Sequence, residues 1–275
     1  MSEWSAAPAP FARRLLTVLG VDQLGAYSVL RVADVETPEP QPGQFAMIAA
    51  AERWGGGEDE RPYLPRAFSI ARRRVGESHF LLEDVGPGTR RLCELREGDG
   101  LWALGPLGKG FSPPKPRHRA ILVGGGVGIA PLAILQDALE AEAATNVTVL
   151  LGFRDGARAP GAALLHGARV ATDDGSVGHH GLLTELLSKE LYEDSRAEVY
   201  ACGPAPMLEA VRAMCATRDV PAQLALEAGM ACGFGACYGC AVPKRGGGYL
   251  RVCVDGPVID AAALERVSEH AGAPS

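Results

Sequence analysis

The chain has 275 residues, and its 27 lysines and arginines against 33 aspartates and glutamates give a formal net charge of −6. This length predicts two domains, and a hydrophobic content of 47% is enough to give each of them a core. The mild acidity and the absence of a basic run longer than three arginines exclude a nucleic-acid-binding protein and a polybasic membrane anchor. Small molecules and other proteins remain as partners.

Neither the N-terminus nor the most apolar stretch indicates export or a membrane span. Residues 1–10 lack the apolar region of a secretory signal. The charge-free stretch 120–136 is interrupted by three consecutive glycines and a proline, and it is shorter than the ~20 apolar residues that a bilayer requires. We therefore expect a cytoplasmic protein. In that reducing compartment an odd count of seven cysteines is a poor disulfide framework.

Residues 11–112 contain short β-rich runs separated by Gly/Pro turns, which predicts a small antiparallel barrel of about six strands. One short helix over 89–95 interrupts these runs. The stiff, proline-rich stretch 112–116 then separates the barrel from the rest of the chain. The predicted strands cover 14–19, 27–32, 44–49, 67–71, 79–85 and 101–104.

After this linker, apolar strands alternate with helical segments, and this rhythm predicts a parallel, doubly wound α/β domain over 117–227. A cysteine-rich segment over 228–260 follows, with a glycine turn at 246–248. The predicted strands cover 120–123, 147–153, 168–171, 198–201 and 222–226, and the predicted helices cover 129–144, 182–190 and 205–216.

Four cysteines in the order C-x4-C-x2-C-x12-C give the strongest indication of chemistry; they are Cys232, Cys237, Cys240 and Cys253. Thiolates hold Fe–S clusters, and this order is the plant-type [2Fe-2S] spacing. The small residues between them let the loop wrap closely and turn its N–H groups toward the sulfurs. The alternative is a structural zinc site, which usually has two C-x2-C pairs where this chain has one. We therefore favour the cluster.

Two glycine turns follow predicted strands of the α/β domain, where glycine permits close backbone approach and a helix N-terminus attracts a pyrophosphate. The first contains Gly124, Gly125, Gly126 and Gly128, and the second contains Gly203 and Pro204. The first turn is a weak indication alone, since Pro131 stands where a dinucleotide fingerprint usually has Gly or Ala. Together, at the carboxyl edge of one sheet, the turns favour a dinucleotide crevice. Asp173 and Asp174 either bond a ribose hydroxyl or shape a turn.

A barrel strand carries the tetrapeptide 66–69, Arg-Ala-Phe-Ser. Strand alternation puts its arginine and phenylalanine on one face and its alanine and serine on the other. An arginine can pair with a phosphate, an aromatic ring can pack on a flavin, and a hydroxyl can bond a flavin nitrogen. The Gly-Pro-Gly-Thr sequence at 86–89 opens the short helix, and it is either a plain turn and cap or a phosphate cradle.

These motifs occur in the order seen in the ferredoxin-reductase superfamily, and the chain most resembles the electron-transfer subunits of NAD-dependent (type B) dihydroorotate dehydrogenase. The resemblance covers about 11–259. Its most specific parts are Met-Ala-Cys-Gly-Phe-Gly-Ala-Cys-Tyr-Gly-Cys at 230–240, Val-Cys-Val-Asp-Gly-Pro at 252–257 and Thr-Asp-Asp-Gly-Ser at 172–176. It implies an FAD-binding barrel, an NAD-binding α/β domain and a [2Fe-2S] segment at the C-terminal end.

Carried over by position, the resemblance places Arg66 on the FAD diphosphate, Ser69 near the reactive ring and Cys202 near the nicotinamide. Ser69 and Cys202 are thus the candidate catalytic residues, although a buried cysteine that packs as a small hydrophobe is an equal reading of Cys202. The implied flavin contacts are Arg66, Ala67, Phe68, Ser69, Leu81, Leu82, Glu83, Gly88 and Thr89. Related subunits often have an aromatic-basic pair where this chain has Leu82 and Glu83, and the insertion over 55–60 is unusually long.

The resemblance also implies an electron relay. An FMN-containing catalytic subunit, forming a hetero-oligomer with this chain, would oxidise dihydroorotate and pass single electrons to the cluster. The cluster would pass them to FAD, which would deliver a hydride to NAD+. One alternative keeps these carriers in another complex, such as an NAD(P)H:ferredoxin or sulfur reductase. A second alternative, from another class, is a zinc-stabilised nucleotide-binding module without redox activity.

Overall fold

The computed structural model describes residues 13–55, 62–142 and 146–267. Its N-terminal part is a closed antiparallel barrel with the strand order β1-β2-β5-β4-β3-β6, which confirms the predicted barrel. The strands are β1 (Arg13–Leu24), β2 (Tyr27–Ala33), β3 (Phe45–Ala50), β4 (Arg66–Arg74), β5 (Glu77–Glu83) and β6 (Gly100–Leu107), with helix α1 (Pro87–Cys93) before β6. The first two residues of the predicted barrel domain, most of the insertion and the end of the predicted helix 129–144 lie outside the described residues.

Strand β3 has two buried faces. Ala46, Ile48 and Ala50 point into the barrel core, as the alternation of a strand requires. Phe45 and Met47, on the outer face, belong instead to a core cluster that the C-terminal segment completes. The outer face of β3 is therefore a platform on which another part of the chain packs.

The second domain is built on a seven-stranded sheet with the order β10-β9-β8-β7-β11-β12-β15. All pairs are parallel except β12–β15, so the predicted parallel sheet is confirmed and gains an antiparallel edge strand. Its elements are β7 (Arg119–Gly125), α2 (Ala130–Ala141), β8 (Val147–Phe153), β9 (Arg169–Thr172), β10 (His179–His180), α3 (Leu183–Glu193), β11 (Ala197–Cys202), α4 (Ala205–Thr217) and β12 (Ala222–Ala225). No helix in the described ranges is long and apolar enough to cross a membrane.

The C-terminal segment is short of regular structure. A small hairpin, β13 (Ala241–Pro243) and β14 (Tyr249–Arg251), surrounds the predicted glycine turn, and helix α5 (Val252–Asp255) and the edge strand β15 (Val258–Asp260) follow. Its buried residues, among them Val242 and Val252, share one cluster with residues of the barrel and of the sheet. The segment therefore depends on both domains for its core.

The barrel and the sheet share a core of their own. Tyr27, Leu81 and Phe111 from the barrel side pack in one cluster with Ile129 and Phe153 from the sheet side. Burial of large apolar side chains is the main favourable term in such a contact. The two domains are thus joined by packing and not by the linker alone.

Two ion pairs cross the same junction. Arg72 in β4 donates to both carboxylate oxygens of Asp137 in α2 and to the Leu164 carbonyl oxygen. Arg158 Nε, following β8, donates to Glu83 Oε1 at the end of β5 over 2.8 Å. Hydrogen bonds between charged groups are stronger than neutral ones, so these contacts help to hold the two domains in one orientation.

Candidate functional site

The four cysteines of the C-terminal segment lie as two pairs. Cys240 and Cys253 are buried, with their sulfurs 3.2 Å apart. Cys232 and Cys237 lie nearer the surface, and the Cys237 thiol hydrogen-bonds to Cys232. A [2Fe-2S] cluster contains two irons and four cysteine ligands, so two pairs suit its chemistry. Across the described ranges, no three His, Cys, Asp or Glu side chains form a site for a single metal ion.

The loop between the first cysteines requires glycine. Gly233 and Gly235 have φ values of +79° and +87°, a region that L side chains rarely adopt. A Cβ at Gly233 would lie 2.4 Å from Met47 Cγ on β3, and one at Gly235 would lie 2.6 Å from Val254 Cγ2. The loop is consequently pressed onto the barrel platform and onto α5.

The thiol chemistry of the two pairs differs. Burial opposes ionisation of Cys232, but backbone N–H groups of Phe234, Ala236 and Cys237 outweigh it and lower the pKa of Cys232 to about 6. The thiolate is the form that ligates iron. In the buried pair, burial and the adjacent Cys240 thiol raise the pKa of Cys253 to about 12. A metal cation at that pair would deprotonate the thiols outright, so the residues fit a cluster.

Arg66 and Gly88 of the expected flavin site meet in the structure. A Cβ at Gly88 would lie 2.8 Å from Arg66 Nε, so the guanidinium lies against the first turn of α1. The Thr89 hydroxyl oxygen accepts hydrogen bonds from the Val85 and Gly86 N–H groups over 2.9 and 3.0 Å. Thr89 therefore shapes the turn, and Arg66 supplies the positive charge beside it, an arrangement that suits a phosphate.

The remaining residues of the tetrapeptide are placed by pairing with β3. Phe68 is level with Ala46, which faces the barrel interior, whereas Ala67 is level with Met47 and Ser69 with Phe45, on the outer face. The cluster loop packs on Met47. The residues expected near the flavin ring and the cluster loop thus occupy neighbouring strands of one barrel face.

The three expected flavin residues on β5 have structural partners. Leu82 is fully buried in the barrel core, and Leu81 is buried in the core between the domains. Glu83 is the carboxylate that pairs with Arg158. Because these three side chains are buried or ion-paired within the protein, a flavin at this strand would contact the backbone of β5 and not its side chains.

The two glycine turns of the sheet lie against each other. A Cβ at Gly128 would lie 2.5 Å from the Cys202 carbonyl oxygen, and one at Gly203 would lie 3.0 Å from the Gly125 nitrogen. Pro131 lies in the first turn of α2, where proline is tolerated. Cys202 is buried, and this burial, reinforced by the charge of Glu227, raises its pKa. Cys202 is therefore a neutral thiol at the floor of the crevice.

The two aspartates lie at the end of β9, two strands from the first glycine turn and three strands from the second. Asp174 Oδ1 accepts hydrogen bonds from the Ser176 hydroxyl and backbone N–H over 2.6 and 3.0 Å. These hydrogen bonds lower the pKa of Asp174. Asp174 thus shapes the turn, the second of the two roles considered for it, while Asp173 beside it is exposed.

One site residue, Glu227, has no counterpart among the sequence-based candidates. It follows β12, whose Ala225 is level with Cys202 at the carboxyl edge of the sheet. Its side chain reaches solvent, yet the protein packed around the carboxyl raises its pKa. An acidic residue directly after a predicted strand at this edge was the available indication, the same rule that selected Gly203.

Comparisons with known proteins agree with this arrangement. The family model described as the iron-sulfur cluster binding domain of dihydroorotate dehydrogenase B matches residues 227–265, and the oxidoreductase NAD-binding domain matches residues 122–213. The chain is 38% identical over 226 residues to the dihydroorotate dehydrogenase B (NAD(+)), electron transfer subunit, of Desulforamulus reducens, covering 79% of this chain and 84% of the relative. The subunit of the same name from Clostridium acetobutylicum is 35% identical over 222 residues, covering 80% of this chain and 84% of the relative.

Solved structures show the same fold. An NADH-dependent reduced ferredoxin-NADP oxidoreductase matches with a TM-score of 0.76 at 25% identity, covering 92% of this chain and 90% of that one. A ferredoxin reductase in carbazole 1,9a-dioxygenase matches with a TM-score of 0.65 at 23% identity, covering 78% of this chain and 68% of that one. The barrel and the adjoining sheet are therefore a shared architecture.

Proposed function

Because the chain belongs to the family of electron transfer subunits of dihydroorotate dehydrogenase B (NAD(+)), we propose that it relays electrons from a dihydroorotate-oxidising subunit through a [2Fe-2S] cluster and FAD to NAD+. The observation that carries this proposal is the position of the cluster loop. It packs on β3 through Met47, directly beside β4, which carries Ala67 and Ser69 on the same outer face. A cluster and a flavin at these places would be close enough to exchange electrons.

Each part of the chain has a separate task in this relay. The cysteine pairs would hold the two irons, and the N–H groups around Cys232 would stabilise the thiolate. Arg66, beside the first turn of α1, would hold the diphosphate of FAD, and the Ser69 hydroxyl would donate to the ring. FAD supplies the conversion between single-electron transfer and hydride transfer.

The crevice at Gly128 and Cys202 would admit the nicotinamide. Glycine lets the backbone approach the dinucleotide closely there. Since burial keeps the Cys202 thiol protonated, we infer that it packs against the ring and does not act as a nucleophile. Asp173 and Asp174 would lie toward the ribose side of the same edge.

We further infer that the partner is a catalytic subunit, because the candidate residues of this chain include no base for dihydroorotate oxidation, and the family resemblance implies that this subunit contains FMN. The two would form a hetero-oligomer in the cytoplasm, where thiols stay reduced. We propose that the barrel, NAD-binding and cluster-binding parts follow the division at 11–112, 117–227 and 228–260. The likeness to a ferredoxin-NADP oxidoreductase favours one rival, in which the same carriers serve a ferredoxin.

The test combines composition and activity. The purified chain should release one FAD and contain two irons, and with the catalytic subunit it should reduce NAD+ at the expense of dihydroorotate. Stoichiometric zinc without iron would contradict the redox function. A chain that carries both cofactors but reduces NAD+ only from reduced ferredoxin would retain the relay and replace the partner.

A further inference from the structure

A cavity of about 390 Å³ lies between the outer face of the barrel and the cluster loop. Strands β1, β3 and β6 form its floor, the chain on either side of the insertion forms one wall, and the cluster loop forms another. Its lining residues are Arg13, Met47, Ala49, Trp54, Tyr63, Pro65, Trp102, Ala103, Leu104, Ala231, Cys232 and Phe234. Aromatic and aliphatic side chains dominate this lining, as in pockets that take an apolar group.

The cavity adjoins the flavin site at one end, since Pro65 directly precedes Arg66 and the Arg66 guanidinium lies 5.9 Å from the centre of the Trp54 ring. Around the barrel the strands follow the order β4, β3, β6 and β1. The flavin candidate Ser69 lies on β4, the cluster loop packs on Met47 of β3, and the cavity continues over β6 to Arg13 of β1. From that end the floor of the cavity extends over β6 and β1, away from the strand that carries Ser69.

The cavity reaches the accessible side of the cluster site. Cys232, from the pair nearer the surface, lines it, whereas Cys240 and Cys253 are buried against the barrel and the sheet. Because protein covers the second pair, a carrier on another molecule can approach closely only from the side of Cys232 and Cys237. Any occupant of the cavity therefore lies beside Cys232, on the side from which such a carrier approaches.

The rim of the cavity exposes large apolar side chains. Tyr63 is 75% exposed, Leu64 48%, Phe234 44% and Tyr238 63%. Tyr238 and Phe234 belong to the cluster loop, and Tyr63 and Leu64 belong to the chain before β4. Tyr63 and Phe234 also line the cavity, and large apolar side chains that stay exposed together are typical of a site of protein association.

Two polar groups in the lining of the cavity can orient an occupant. The Trp54 indole N–H is buried and has no hydrogen-bond partner in the described part of the chain. The Arg13 guanidinium lies 4.1 Å from the centre of the Trp102 ring. An occupant with an apolar body and a carbonyl or carboxylate acceptor would satisfy both, since buried donors are normally paired.

We propose that this cavity is the anchor site for the catalytic subunit, which inserts an apolar side chain between Trp54, Trp102 and the cluster loop and presents a carbonyl or carboxylate oxygen to the Trp54 N–H. This inference rests on the proposed function, which requires a partner subunit to deliver electrons near Cys232. An anchor here would bring the two subunits together at the accessible pair of cluster ligands. Trp54 and Tyr63, which flank the insertion, would thereby contribute to partner recognition.

The test is Tyr63→Ala, with Tyr192→Ala as the matched control, because Tyr192 is 89% exposed on α3 of the NAD-binding domain. Affinity for the dihydroorotate-oxidising subunit is measured by sedimentation velocity with the full-length, cofactor-loaded chain. Tyr63→Ala should weaken binding by about tenfold or more, as loss of an aromatic anchor does, and Tyr192→Ala should change it less than about twofold. Trp54→Phe, which removes the indole N–H together with one of the two fused rings, should have an intermediate effect.

Folding and occupancy have their own readouts. Both tyrosine variants should keep the FAD content and unfolding temperature of the parent chain, since both side chains are exposed. Trp54 and Trp102 should become less accessible to acrylamide quenching when the subunit binds. Unchanged quenching would overturn the proposal.

The two possible failures are distinguishable. If the parent chain binds the subunit and Tyr63→Ala binds it equally well, the cavity is not the anchor, and the relay itself stands. That result would also be expected if the cavity held a small apolar molecule. If the parent chain neither binds the subunit nor reduces NAD+ with it, the proposed function is wrong and the anchor site falls with it.

Discussion

The junction between the barrel and the sheet and the junction of the cluster segment with both of them are built in different ways. The first has a core in which Tyr27 and Phe111 pack against Ile129, and it is fixed by the pairs of Arg72 and Arg158. The second consists of strands of three residues around cysteines whose sulfurs are not joined by disulfides. Side-chain packing is enough to form the junction between the barrel and the sheet. The cluster segment, in contrast, is complete only when its cysteines hold a metal cluster.

This difference separates the two halves of the proposed relay. Hydride exchange between FAD and a nicotinamide needs only the barrel, the sheet and their packed junction. Electron exchange with a partner needs the cluster segment as well. Substitutions in one region should therefore leave the chemistry of the other measurable.

The largest expected effect is that of Cys253→Ser, which removes a ligand from the buried pair. The cluster should be lost, and dihydroorotate-dependent NAD+ reduction by the reconstituted complex should fall by about 100-fold or more, because a cluster ligand has been removed from the proposed path. NADH-to-dye activity should stay within a few-fold of the parent chain, since a soluble dye takes electrons directly from the flavin. Iron content and both activities are measured on the same preparation. Full dihydroorotate-dependent activity without iron would remove the cluster from the path.

The next effect concerns the packed junction. Asp137→Asn leaves the Arg72 guanidinium, whose side chain is only 11% exposed, without its carboxylate partner. Breaking such a pair at a site that is partly open should cost about 1–3 kcal/mol. Thermal unfolding should then occur about 2–10 °C lower.

The matched control is Asp22→Asn on the barrel surface, where Arg31 and Asp22 form a pair with side chains 32% and 61% exposed. An exposed pair contributes about 0–1 kcal/mol, so the control should hardly change the unfolding temperature. Equal losses from Asp137→Asn and Asp22→Asn would show that the junction pair has no special weight.

A smaller effect is expected on the preference for NADH over NADPH, because an arginine of the barrel–sheet junction lies near the expected position of the 2′-phosphate. Selectivity for NADPH usually requires an arginine for the 2′-phosphate near the end of the second strand of the sheet. Arg158 lies there, but it donates to Glu83 over 2.8 Å and to Asp155 over 2.6 Å, and only Arg154 is exposed. The kcat/KM for NADH should therefore exceed that for NADPH by about tenfold. Glu83→Gln, which leaves Arg158 with one carboxylate, should narrow the ratio, and equal efficiency in the parent chain would reject the argument.

The regular part of the fold could be predicted from the sequence, since each long strand or helix carries its own periodicity. The six barrel strands and the main strands of the sheet follow from alternation and from the βαβ rhythm. Strands β10, β13, β14 and β15 have only two or three residues, too few for a pattern. They form because tertiary pairing supplies their partners, as β12 does for β15.

For the cluster site, the sequence predicts which residues are ligands but not how they are arranged in space. Cysteine spacing indicates four thiolates, but their grouping into Cys232–Cys237 and Cys240–Cys253 depends on how α5 and the hairpin return the chain. The contact of Arg66 with Gly88 is equally a product of folding, because β5 and a turn separate the two residues. Packing also decided that Leu81 and Leu82 are core residues, which alternation alone did not reveal.

The smallest effect is expected at Glu227, where the sheet leads into the cluster segment. The surrounding protein raises the pKa of Glu227, so the folded state holds this proton more tightly than the unfolded state does. The charge therefore opposes folding progressively as the pH rises above the unfolded value of about 4.3. Glu227→Gln should unfold at the same temperature as the parent chain at acid pH and slightly higher at pH 8. The difference should be smaller than the loss in Asp137→Asn.

Glu185 provides a contrast of opposite sign. Its hydrogen bond with His179 lowers the pKa of Glu185, so its ionised form stabilises the folded chain above the unfolded pKa, and this contribution is lost as the pH falls through the folded value. Glu185→Gln should therefore unfold slightly below the parent chain near neutral pH, where the parent carboxylate is ionised, and the difference should vanish in acid. Unfolding curves of both variants and the parent from pH 4 to pH 8 decide the matter. If the two variants shifted in the same direction at neutral pH, the environment of Glu227 would not be the one that the fold indicates.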